Sequence, residues 1–120
     1  MPVDFSQMVL AHARWKTRLR DAIQSGEAID ANLAGKDDQC EMGKWVYGEG
    51  ATYASLPAYA DLKAKHAKFH ACVAEVLRQM RSSTAGESMK LIDPVGSEFG
   101  RCSVACINAI AALRDAIPSA

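Results

Sequence analysis

The side chains able to do chemistry in this chain are few and unevenly placed. There are only three histidines, His12, His66 and His70, and the last two sit in "HAKFH". Positions i and i+4 of a helix share a face, with Cβ atoms about 5–6 Å apart. Two imidazoles so placed can converge on one ion, with metal–nitrogen bonds of about 2.0–2.1 Å. Cys40 opens the stretch "CEMGKWVYGEG", which is too glycine-rich for a long helix yet carries Trp45 and Tyr47. His12 lies in "HARW", near the N-terminus. Three nitrogens and one sulfur form a tetrahedral donor set that suits Zn²⁺. Four protein donors leave no coordination position for a substrate, whereas hydrolytic zinc keeps three donors and a water. There is also no H-E-x-x-H, no nucleophile elbow and no phosphate-cradling glycine loop. The expected role of the metal is therefore structural and regulatory, and no enzymatic activity is expected.

Two competing readings use the same residues. A histidine on an apolar face is ordinarily a hydrogen-bonded core residue, so a non-signalling helical interaction bundle without metal is one alternative. An iron-binding helical protein is the other, but its carboxylate ligands belong on the apolar stripes. Here Asp and Glu fall mainly on the solvated faces. The spacing of Cys102 and Cys106 could also chelate, but both follow an apolar seam and are expected to pack. Cys72 flanks another stripe and is expected to be inert.

The elements that must position these residues read as helices throughout. Phe5, Met8, Val9, His12, Trp15, Leu19, Ala22 and Ile23 recur three or four apart, predicting an amphipathic helix over about 4–24. Asp4 is its candidate cap and Gly26 its stop. Asp37 or Asp38 is expected to cap a short helix over about 39–47, ended by Gly48 and Gly50. Ser55, with Pro57 in the first turn, is expected to start a long helix whose apolar face is Tyr59, Leu62, His66, Phe69, Val73, Val76 and Met80. "RSSTAGES" reads as a turn. Ile92, Val95, Phe99, Cys102, Cys106, Ala109, Leu113 and Ile117 then form the seam of a last helix, with Pro94 expected to bend its start or delay it. No strand pattern competes. The expectation is an all-α fold: an antiparallel four-helix bundle with a short extra helix or connector carrying Cys40, forming a single domain over residues 1–120.

Composition narrows the partners. Fourteen basic residues balance fourteen acidic ones, so nothing draws the chain to nucleic acid or to anionic lipid over distance. The most apolar window, "VACINAIAAL", is far short of the roughly 20 residues needed to cross a bilayer, so no membrane insertion is expected. "MPVDFSQMVL" lacks a basic segment followed by an apolar core. A cytoplasmic location is therefore expected, with the cysteines as thiols or metal ligands rather than disulfides.

The order of "HARW", "CEMGKWVY" and "HAKFH" resembles the chemoreceptor zinc-binding domain family. That family's pattern is H-x-x-W, then C-x-[Leu/Phe]-G-x-W, then H-x-x-x-H. The resemblance implies His12, Cys40, His66 and His70 as the zinc ligands, with Trp15, Gly43 and Trp45 as supporting residues. Met42 departs from the usual leucine or phenylalanine, a mild change in volume. Members are commonly attached to chemoreceptor or diguanylate cyclase domains, so the resemblance implies a zinc sensor acting on a signalling partner in cis or in trans. It also implies a homodimer, a link to chemotaxis, and redox sensing through oxidation of the cysteine ligand.

Overall fold

A computed structural model describes residues 4–93 and 96–117, and among these residues there are six α-helices and no strand. Helix α1 spans Phe5–Ser25 and begins as its sequence predicts. The Asp4 carboxylate accepts from the Gln7 N–H at 3.1 Å, and Gly26 closes the helix with φ of 75°, a left-handed conformation that glycine adopts without strain. Helix α2 is a single turn, Ala31–Ala34, capped by Asp30. Helix α3, Glu41–Tyr47, is followed by a 3₁₀ turn over Glu49–Tyr53. Helix α4 runs from Pro57 to Met80, α5 from Ala85 to Ile92, and α6 from Glu98 to Ala116.

Several boundaries differ from expectation. The cap of α3 is Cys40 itself, not Asp37 or Asp38. Leu56 precedes α4 without a side-chain cap, so Ser55 is not its N-cap, although Pro57 does occupy the first turn. The segment read as one turn after Met80 contains the start of α5. There Thr84 accepts from the Glu87 N–H while the Glu87 carboxylate accepts from the Thr84 N–H, a reciprocal capping box. Ile92 therefore ends α5, and α6 starts at Glu98 with the Ser97 hydroxyl as its cap. The expected effect of Pro94, and the place of Val95 in the seam, lie outside the described residues.

The contacts define four limbs running alternately up and down. His12 of α1 lies beside His66 and His70 of α4, and the α1 end at Ala22, Ile23 and Gly26 shares a groove with Leu77, Met80 and Arg81. These two helices therefore run in the same direction. Between them the chain returns through α2 and α3: the Ala34 carbonyl meets His70, and Trp45 meets Phe5 at the start of α1. The fourth limb, α5 followed by α6, also runs back. Ala85 and Ser88 line the groove at the α1 end, Asp93 pairs with Arg20 at 3.5 Å, and Ala105 shares a hollow with Lys65. The result is the expected antiparallel four-helix bundle, with its second limb broken into the connector that carries Cys40.

Helix α4 is the axis of the core. Leu62, Phe69 and Val73 are fully buried and meet Leu19 of α1 and Phe99, Ile110 and Leu113 of α6 in one apolar cluster. Each such side chain contributes roughly 1.5–3 kcal/mol by leaving water. Among the described residues the ion pairs are all at the surface, including Lys65–Asp61 at 2.7 Å, and exposed pairs are worth about 0–1 kcal/mol each. Packing decides the fold. Among the described residues no helix is long and apolar enough to cross a membrane. Cys106 packs in the seam as expected, fully buried with a free thiol, whereas Cys72 and Cys102 do more than pack, because their sulfurs are in bonding contact between α4 and α6.

Candidate metal centre

Where the first three limbs meet, four donor atoms gather. One donor atom each from His12, Cys40, His66 and His70 lies within 4.8 Å of all the others. The Cys40 Sγ is 3.2 Å from His66 Nε2 and 3.7 Å from His70 Nε2, and the two imidazole nitrogens are 3.0 Å apart. Bond lengths of about 2.0–2.1 Å to nitrogen and about 2.3 Å to sulfur give a tetrahedron with edges of roughly 3.3–3.6 Å. The three spacings among Cys40, His66 and His70 match that figure to within a few tenths of an ångström.

The hydrogen bonds fix which ring nitrogen is free. A carbonyl can only accept, so His12 Nδ1–H donates to the Met8 carbonyl at 2.7 Å, and His70 Nδ1–H donates to the Ala34 carbonyl at 2.9 Å. Both imidazoles are thereby left with an unprotonated Nε2, the arrangement that backbone carbonyls impose on metal-binding histidines. His12 Nε2 is buried and has no hydrogen-bond partner. Such an orphan costs about 1–3 kcal/mol, and an ion at the centre of the cluster is the partner its geometry accommodates. His66 presents Nε2 to Cys40 and His70, while its buried Nδ1 has no partner.

The connector holds Cys40 in place from several sides. Its sulfur accepts from the Gly43 N–H at 3.3 Å, so one atom both caps α3 and faces the histidines. A Cβ on Gly43 would collide with the Asp37 carbonyl, so only glycine lets α3 lie this close to the preceding loop. Tyr47 fastens the same loop by donating to the Asp37 carboxylate, a bond that pushes the phenol up to about 12. Tyr59, buried on the apolar face as expected, also donates from α4 to the Val46 carbonyl at 2.6 Å and so ties α3 to the helix bearing two of the histidines. Overpacking of this kind costs about 1–3 kcal/mol, so Gly43→Ala should lower the melting temperature by roughly 5–15 °C and weaken zinc binding in the same variant. Thermal melts and zinc titration of that variant check both effects.

The tryptophans stand at different distances from the cluster. The Trp15 ring meets His70 edge-on at 6.4 Å and carries the Arg18 guanidinium over its face at 4.2 Å. Trp45 packs on Phe5 and Tyr53, with Gly50 against its ring, and so pins the connector to the start of α1, where it lines one hollow with His12 and Cys40. Sequence reasoning also missed Met8 and Ala34 as the carbonyl partners of His12 and His70. A backbone carbonyl carries no residue-type signal.

Burial sets the protonation of the metal-free cluster. His66 is pushed down to about 3 by burial and then by its two histidine neighbours. Burial also lowers His12 and His70, opposed by their bonds to the Met8 and Ala34 carbonyls. The Cys40 thiol is raised by burial, against the Gly43 N–H. Folded histidines held below 6.5 give stability that is full above that value and lost as pH falls from 6.5 toward the folded values. In the presence of a chelator, the melting temperature should be flat from about pH 8 to 7 and then drop progressively toward about pH 5. A rise on acidification would contradict neutral, buried imidazoles.

A sequence model of the chemoreceptor zinc-binding domain matches residues 12–77, from the first cluster histidine to beyond the last. No curated protein and no solved structure matches the chain. The matched segment is more than half of the 120 residues and contains the whole His/Cys/His/His cluster. On that match, and with a donor set that fits zinc, the chain belongs to the chemoreceptor zinc-binding domain family and zinc is its cofactor.

Proposed function

We propose that His12, Cys40, His66 and His70 bind one zinc ion, and that its occupancy is read by a signalling partner through the arrangement of α2 and α3. The observation carrying this reading is the convergence of four donors from three separate limbs on one point, with the His12 Nε2 otherwise unpartnered. Bound zinc supplies a positive centre that holds a thiolate and three neutral imidazoles together. His12 belongs to α1, Cys40 to the start of α3, and His66 and His70 to α4. The donor set thus ties the least regular limb to the two helices beside it. All four positions are filled by protein, which supports a regulatory rather than a catalytic role.

The partner is a chemoreceptor or diguanylate cyclase output domain, in cis or in trans, as the family name and its usual attachments suggest. The whole chain forms the one zinc-binding domain, acts as a homodimer in the cytoplasm, and serves chemotaxis or a related response. Cys40 is the single sulfur donor, so its oxidation would remove the thiolate and weaken the site, giving an oxidant a second way to act on it. Metal analysis of protein purified without an affinity tag tests the core of the reading. About one equivalent of zinc is expected after incubation and desalting, and a value under roughly 0.2 would support the metal-free interaction bundle instead.

A further inference from the structure

A second sulfur pair lies outside the zinc cluster. Cys72 of α4 and Cys102 of α6 have their sulfurs in bonding contact, with Cα atoms 6.9 Å apart and thirty residues between them in sequence. That separation is at the upper end of what a disulfide spans. Each residue also borders open space. Cys72 lines a groove with Glu75, Val76 and Leu91, and Cys102 lines a hollow with Lys65 and Arg101. Both side chains retain a little exposure, 8 % and 6 %, while Cys106 retains none. A small solute can therefore approach the pair from the surface.

We propose that Cys72 and Cys102 form a reversible dithiol–disulfide modification site, oxidised by hydroperoxides, that cross-links α4 to α6 separately from Cys40. With hydrogen peroxide, one sulfur attacks a peroxide oxygen, the O–O bond breaks, water leaves and a sulfenic acid forms (an organic hydroperoxide releases its alcohol in place of that first water). The other sulfur displaces the hydroxyl as a second water and forms the S–S bond. The two thiol protons end in water, and the two electrons reduce the peroxide. A dithiol reductant reverses the change by exchange. The cross-link fixes against α6 the helix that carries His66 and His70, and it leaves α1 and the connector free. Oxidation at this pair therefore stiffens one half of the bundle whether or not the zinc cluster is assembled.

The test uses the full chain, reduced, loaded with zinc and treated with stoichiometric hydrogen peroxide. Alkylation after denaturation should find four reactive thiols before treatment and two after, with peptide mapping placing the disulfide between Cys72 and Cys102. Dithiothreitol should restore all four, and zinc content, measured in parallel, should not fall. Neither Cys72→Ser nor Cys102→Ser should form an intramolecular disulfide under the same treatment. The variant that lacks the attacking sulfur should keep three reactive thiols, and the other should keep two and hold a sulfenic acid that dimedone traps. Circular dichroism confirms that these variants fold, and if either does not, the mapping of the wild-type chain decides alone. Four reactive thiols after treatment, a bridge from Cys40 to Cys106, or a bridge between two chains would overturn the proposal. So would loss of zinc while Cys72 and Cys102 remain open to alkylation. A chain that binds no zinc yet forms the mapped disulfide would remove the zinc-sensor reading and leave this one intact.

Discussion

Cys40→Ala should weaken zinc binding by more than about a hundredfold, because loss of even an outer partner of a metal ligand costs about 10–100-fold. Cys72→Ala should change it by less than about threefold, since Cys72 is not one of the four clustered donors. The two substitutions remove the same atom from helix-associated, largely buried positions, so a general effect of losing a cysteine would appear in both. Cys40 has a second duty, because its sulfur also accepts from the Gly43 N–H at the head of α3. Cys40→Ser separates the two roles, since a serine hydroxyl is a good helix cap and a poor zinc ligand. It should recover much of the stability lost in Cys40→Ala while binding zinc little better. Competition titrations against a zinc-responsive dye check these affinities. Equal losses for Cys40→Ala and Cys72→Ala would mean that the ligand assignment is wrong.

Removing zinc should have the largest effect on stability. A ligand present at a thousand times its dissociation constant stabilises the folded state by about 4.1 kcal/mol. For a domain of this size that corresponds to a melting temperature at least roughly 10 °C lower after chelation. The loss should be unevenly distributed. Helices α1, α4 and α6 supply most of the apolar core, to which the connector adds Ala31, Ala34, Met42 and Val46. The segment of residues 27–47 has a single turn in α2 and two turns in α3, so it depends more heavily on Cys40, Gly43, Tyr47 and the carbonyl of Ala34. Amide hydrogen exchange should therefore accelerate most across residues 27–47 and least in the middle of α4. Uniform acceleration along the whole chain would indicate global destabilisation rather than a connector that responds to the metal.

Much of this arrangement can be read from residue type and spacing. The i, i+4 relation of His66 and His70 is a property of any helix, and both stripes are continuous enough to place His12 and His66 inside. The glycine and aromatic residues after Cys40 signal a compact connector rather than a loose loop. What could not be read depends on contacts between distant segments. Helix α2 is four residues long, too short for periodicity to register, and exists because Asp30 caps it and α4 supports it. The start of α5 has a local signature, Thr84 with Glu87 three residues on, but Gly86 and the serines before it point to a turn. Cys40 as its own helix cap was hidden by two aspartates that are better caps by residue type. The meeting of Cys72 with Cys102 depends on the register between α4 and α6, which stripe positions alone do not fix.

The central claim is that one sulfur and three imidazole nitrogens from separate limbs share a single zinc ion. X-ray absorption at the zinc edge of the loaded, untagged protein reads that first shell directly. The account predicts one sulfur at about 2.3 Å, three nitrogens at about 2.0–2.1 Å and the outer-shell pattern of imidazole rings. A shell of only nitrogen and oxygen, or one with two sulfurs, would contradict it.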